Sequence, residues 1–145
     1  RAGRELARLI PPGTPIFLFG PATVPHLAGL RPPIQPSNTL ETLIAGMAPW
    51  KIQRSGLWGT EHIGAWLDTG YPCAFTVQLW SRDQLWRCEP MKWAVVWRDG
   101  LLARVDRYGW QAPAALMLAL LERHYAPAGT VAYHGITLEV WRRRD

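Results

Sequence analysis

Four apolar residues in unbroken succession, Ile16-Phe17-Leu18-Phe19, lie between Pro11-Pro12 and Gly20-Pro21. A run this short, bounded by turn formers, is strand material, and a strand with no polar side chain has to be covered on both faces. That requirement excludes a one-sided antiparallel sheet and points to a sheet flanked by helices. The flanking sequence supplies them. Ahead of the run, Ala2, Leu6, Leu9 and Ile10 form an amphipathic stripe that Pro11 and Pro12 stop, because proline brings no amide and restricts the residue before it. After it, Pro25 suits the first turn of a short helix running to about Gly29.

The same reading continues along the chain. Arg31 to Pro36 is irregular connection, with three prolines in six residues. Asn38 and Glu41 resemble a capping box for a helix whose apolar face is Leu40, Leu43, Ile44 and Met47. Thr60 caps a further helix with Ile63, Trp66 and Leu67 inward and Gly70 as its stop. Cys73 to Val77 reads as a second buried strand. Trp93 to Trp97 and Leu101 to Val105 flank Asp99-Gly100, a dipeptide that favours a hairpin, so the sheet is expected to be mixed. Pro113 opens the most apolar helix, Ala114 to about Tyr125, closed by Pro127 and Gly129. Val131 to Tyr133, His134-Gly135 and the alternating Ile136 to Val140 end the chain with strand material. The expected fold is therefore α/β: a layered mixed sheet flanked by helices, a Rossmann-like αβα sandwich with a late β-hairpin.

At 145 residues the chain has the size of one domain, spanning residues 1–145. Its 48% hydrophobic and 19% charged residues exclude disorder as a description of the whole. The longest apolar stretch, Ala112 to Leu121, is unbroken by charge but spans about half of the ~20 residues a membrane helix needs, so this chain as given is expected to be soluble. The net charge of +5 favours anionic partners without choosing among them. A specific nucleic-acid groove is not expected, since the basic residues are scattered rather than interleaved with aromatics along one element. Arg142, Arg143 and Arg144 form the only basic run, and a terminal run reads as a solvated tail.

Searching for chemistry finds no catalytic constellation and no cofactor site. Phe19-Gly20-Pro21-Ala22 lacks the glycines of a phosphate loop, there is no GxSxG, and His26, His62, His124 and His134 have no metal spacing. Cys73 and Cys88 are either buried thiols or a disulfide closing a loop of about fifteen residues, worth ~3 kcal/mol in an oxidising compartment. Gly56 to His62 is the one loop that invites a ligand. Trp58 offers a platform, Glu61 a carboxylate and His62 an imidazole at a loop-to-helix junction. A plainer account gives each residue a structural job: Gly59 shapes the loop, Thr60 and Glu61 serve the helix N-terminus, and His62 is solvated. Of the nine tryptophans, Trp66 falls on an apolar helix face and Trp93 and Trp97 share a strand face, whereas Trp50, Trp58, Trp80, Trp86 and Trp110 sit in loops or element ends.

Taken in order, several segments resemble the soluble C-terminal region of polytopic GT-C membrane glycosyltransferases, the dolichyl-phosphate-mannose-protein mannosyltransferase-like enzymes of bacteria. Glu5 to Ile10 followed by Pro12 to Gly20 resembles the helix and first strand after the last membrane helix. Pro25 to Pro33 is similar to the short helix ending in a Gly-Arg-Pro-like turn, and adds Arg31 to the ligand-binding candidates. Leu121 to Tyr125, through Val140 to Arg144, is similar to the last helix and the terminal basic strand. The resemblance implies a domain excised from a longer membrane protein and lying on the extracytoplasmic face of a bacterial membrane. Its partners would be the missing membrane helices of the parent chain, with a polyprenyl-phosphate sugar or anionic lipid headgroups nearby. The family's catalytic acid lies between early membrane helices, so no residue here is assigned catalysis. A free-standing carbohydrate- or nucleotide-binding module and a tryptophan-rich protein-interaction domain are the alternatives.

Overall fold

In the computed structural model of the chain, residues 1–31, 43–44, 58–59, 67–68, 91–102 and 111–144 are described. Helix α1 spans Ala2–Leu9 and buries Ala2 and Leu6, followed by Ile10 at the same i, i+4 spacing. The helix stops where proline dictates: Ile10 is extended at φ −124° and ψ 122°, the region to which a following proline confines it. Strand β1, Ile16–Phe19, has all four residues buried. Helix α2, Thr23–Leu27, ends on Gly29 at φ 70°, with the Gly29 amide donating to the His26 carbonyl and the Leu30 amide to that of Pro25. This pair of bonds is a Schellman stop, which needs the left-handed backbone that glycine adopts freely.

Strands β2 (Leu43–Ile44) and β3 (Trp58–Gly59) form a small parallel pair. The main sheet uses β4 (Trp93–Val96), β5 (Tyr125–Tyr133) and β6 (Ile136–Arg143) in the order β1-β4-β6-β5. β1 runs parallel to β4, while β6 is antiparallel to both β4 and β5, so the sheet is mixed and the class is α/β. Helix α3, Gln111–His124, precedes β5 directly.

Alternation along the strands divides the core in two. Ile16, Leu18, Val95, Leu138 and Val140 pack with Leu6, Ile10 and Val24 of the α1 and α2 region. Phe17, Phe19, Ala94, Val96 and Trp141 pack with Met117 and Leu121 of α3 and with Leu67. The unbroken apolar run of β1 thus serves both clusters, each buried Phe, Leu or Ile stabilising by about 1.5–3 kcal/mol.

Four expectations need correction. The hairpin at Asp99-Gly100 does not form: residues 98–102 are helical. Gly100 serves close packing instead, because the Trp97 indole lies where its Cβ would stand. The late hairpin is β5 to β6, turning at His134 (φ 45°) and Gly135 (φ 80°), the positive-φ pair that a two-residue turn requires. Second, Leu43–Ile44 is strand where the capping box predicted helix: adjacent apolar residues fit either period, and pairing with Trp58–Gly59 decides. Third, Pro127 and Gly129 do not close α3. They lie inside β5, where Ala128 is the extra residue of a bulge. Fourth, Arg142 and Arg143 belong to β6 rather than to a tail. The Leu67 segment is helical as expected, whereas Cys73 to Val77 and Trp66 lie outside the described residues.

Candidate functional site

Because β6 alternates, Glu139 and Trp141 share the face that carries the α3 cluster, while Leu138 and Val140 face the other way. Arg98, two residues past the end of β4, opens the helical turn and reaches this face. Its Nε donates to Glu139 Oε1 at 2.8 Å and an Nη2 hydrogen to Oε2 at 3.1 Å, a fork-to-fork pair. The Trp141 indole N–H donates to the same Oε2 at 2.9 Å. Glu122, on the last turns of α3, lies 3.4 Å from both terminal nitrogens of Arg98. Three segments are thereby tied at one point.

Electrostatics follow the geometry. Burial alone would push the Glu139 carboxyl up; the hydrogen bonds from Arg98 and Trp141, with the Arg98 charge, outweigh it and hold Glu139 below the usual carboxylate range. The bond to Glu139 holds Arg98 above its ordinary value, against the opposing effect of burial. A depressed folded-state value gives stability that is present above the unfolded pKa of about 4.3 and is lost as pH falls through the folded value. Thermal unfolding should therefore lose midpoint temperature from about pH 5 downward. Glu139→Gln is expected to flatten that limb while lowering the neutral-pH midpoint. An unchanged acid limb in the variant would show that the pair does not carry it.

Beside this cluster a groove of about 260 Å³ opens, lined by Arg98, Pro127, Gly129, Thr130, Glu139, Val140 and Trp141. Thr130 sits opposite Glu139 and Pro127 opposite Trp141, so the bulge at Ala128 forms one rim. The arrangement offers fixed acceptors, guanidinium donors and an indole edge, a set suited to binding a small polar molecule.

At the neighbouring end of the sheet the basic run is engaged structurally. Arg143 donates to the carbonyls of Leu67 (2.7 Å) and Asp68 (2.6 Å) and lies 5.4 Å from the Tyr125 ring centre. Arg142 lies over Trp93 at 5.6 Å, and Arg144 Nε donates to the Tyr125 carbonyl at 3.1 Å. The Tyr125 hydroxyl donates to the Met91 carbonyl at 2.7 Å; burial, opposed by Arg143, pushes its pKa up to about 12, so it is a neutral donor. His124 Nε2 stands 2.9 Å from Asp68 Oδ1, in range for an ion pair but not aligned for a hydrogen bond.

The residues singled out in the sequence do not converge on this groove. Arg31 is exposed, its Nε donating to the Gly13 carbonyl at 2.6 Å while its backbone bridges to Pro15 beside β1. Trp58 lies in β3 opposite Leu43. Glu61, His62, Cys73 and Cys88 lie outside the described residues. What sequence reasoning missed is Arg98 with Glu139. One signal was present: Glu139 and Trp141 fall at i, i+2 on the mixed face of an otherwise apolar strand. Arg98 gives none, because Asp99-Gly100 beside it has the composition of a hairpin turn.

No protein-family model matches the chain, nor does any curated protein or any solved structure.

Proposed function

We propose that the chain is an accessory domain of a polyprenyl-phosphate-sugar-dependent membrane glycosyltransferase. It would lie on the extracytoplasmic face, shaping the acceptor side of the active site or stabilising the parent, with no catalysis of its own. The observation that carries this reading is where the resembling segments fall. They are α1, β1, α2, the end of α3 and the end of β6; they supply two of the four strands of the main sheet and most of its α1-side helical cover. A Rossmann-like αβα layering of one domain over residues 1–145 belongs to the same proposal, supported by the apolar clusters on the two faces.

In this arrangement α1 would follow the last membrane helix. Arg1, Arg4 and Arg8 are exposed along it, and basic residues near an anionic surface contribute about 1 kcal/mol each. The partners would be the parent's membrane helices, with lipid headgroups or the polyprenyl-phosphate donor beside them. Among the described residues no helix is long and apolar enough to cross a membrane. Purified protein of residues 1–145, incubated with a radiolabelled polyprenyl-phosphate sugar and hydroxylated acceptors, is expected to transfer no sugar. Reproducible turnover would overturn the division of labour. A second reading, a free-standing binding module, is favoured by the groove between Arg98 and Trp141.

A further inference from the structure

We propose that the groove bounded by Arg98, Glu139, Trp141 and the β5 bulge is a binding site for a neutral polyhydroxylated ligand, a single sugar ring. Its chemistry selects this class at three points. Among the described residues, the ionised groups at the groove are Arg98 and Glu139 in its lining and Glu122, which reaches Arg98 from α3, so the local balance is one negative charge. A phosphate or carboxylate ligand would be repelled there. The volume, about 260 Å³, falls just under the roughly 300 Å³ at which pockets for drug-sized ligands begin, so one ring fits better than a nucleotide.

The third point is the pattern of donors and acceptors. Glu139 is held by three hydrogen bonds from Arg98 and Trp141, which fix its orientation and, among the described residues, leave one lone pair over, on Oε1. Among the described residues, the Arg98 Nη1 group meets Glu122 alone, at 3.4 Å, a weak contact for its two N–H groups. A vicinal diol can donate one hydroxyl to Glu139 and accept at the other from Arg98, a match that a purely apolar ligand lacks. The indole edge of Trp141 and the Pro127 ring supply apolar walls, and Ala128 has no ladder partner on β6. Bulges are enriched beside binding sites for this reason: they turn a strand aside and release backbone groups from pairing. The inference holds whether the chain is an accessory domain or a free-standing module, since it rests on residues of the groove alone.

The test is a titration of isotope-labelled protein followed through the Trp141 indole N–H resonance. The probes are methyl glucoside, methyl mannoside and methyl galactoside, each to about 50 mM, with glucose 6-phosphate as the anionic counterpart. At least one neutral glycoside should shift the resonance saturably with a millimolar Kd, and the phosphate should bind at least about tenfold more weakly. Glu139→Gln should weaken binding about tenfold or more while retaining dispersed indole signals. Thr130→Met places a longer side chain across the groove at an exposed position. It should abolish binding with an unchanged melting temperature, so the test survives if Glu139→Gln does not fold. Absence of any shift with the neutral glycosides, equal or tighter binding of the phosphate, or undiminished binding by Thr130→Met would each overturn the proposal.

Discussion

Replacing Tyr125 by alanine is expected to remove about 3–5 kcal/mol of the chain's stability, a large share of what a domain of this size has. Tyr125 is fully buried, meets Phe17 edge to face at 6.5 Å between ring centres, and hydrogen-bonds the Met91 carbonyl. It also stands where α3 hands over to β5 without a linker. Truncating a buried aromatic costs about 3–5 kcal/mol, and domains of this size have about 5–15 kcal/mol in total. Tyr125→Phe separates the contributions: it keeps the ring and strips the buried Met91 carbonyl of its donor, for a loss of about 1–3 kcal/mol. Denaturant unfolding of the two variants checks this. A Tyr125→Ala loss no greater than that of Tyr125→Phe would mean that the ring is not a core element.

The second large effect is at Gly100, and here two physical arguments give opposite signs. Residues 98–102 are helical, and helix propensity alone makes Gly100→Ala stabilising by about 1 kcal/mol. The Trp97 indole, however, occupies the space into which the new Cβ would project, and Trp97 packs against both core clusters. Overpacking of this kind costs about 1–3 kcal/mol, so the variant is expected to be less stable than the parent. The discriminating experiment is a double-mutant cycle. In a Trp97→Ala background the clash is gone and Gly100→Ala should become neutral or stabilising. A destabilisation that persists there would put the cause in the backbone rather than in the ring.

These two positions show where the sequence is legible and where it is not. The apolar run Ile16 to Phe19, the proline stop after Ile10 and the alternation of Ile136 to Val140 act through local rules, and each appears in the structure as read. Asp99-Gly100 misleads because glycine serves two purposes. It permits positive φ in a turn, and it makes room for a neighbouring ring; only the second operates here. Leu43-Ile44 misleads because two residues cannot distinguish a period of 3.6 from one of 2, and the pairing that decides the matter comes from Trp58-Gly59, more than a dozen positions away. The groove was hidden for a related reason. Arg98, Glu122 and Glu139 come from three separate elements, and nothing in their local sequence announces that the fold brings them together. Trp58, Glu61 and His62, by contrast, were conspicuous because they are adjacent in sequence, which is a weak guide to proximity of function.

Arg143 illustrates the cost of reading charge without topology. As part of a terminal run it looks solvated, yet it bonds the carbonyls of Leu67 and Asp68 and so ties β6 to a helix some seventy-five positions earlier. The domain's positive charge is therefore not all available to a surface. What remains exposed includes Arg1, Arg4 and Arg8 on α1, the element that the proposed function sets nearest the membrane.

The proposal that this domain is carried on the outer side of a membrane by helices of the same chain is tested most directly by protease protection of the native protein in wall-stripped spheroplasts of its source. An antibody raised against residues 1–145 follows the product. The account predicts a protein that sediments with membranes, resists extraction by high salt, and loses this domain to protease added outside intact spheroplasts. A full-length native product of about 145 residues recovered in the soluble fraction, or a membrane-bound one protected until the spheroplasts are lysed, would contradict it.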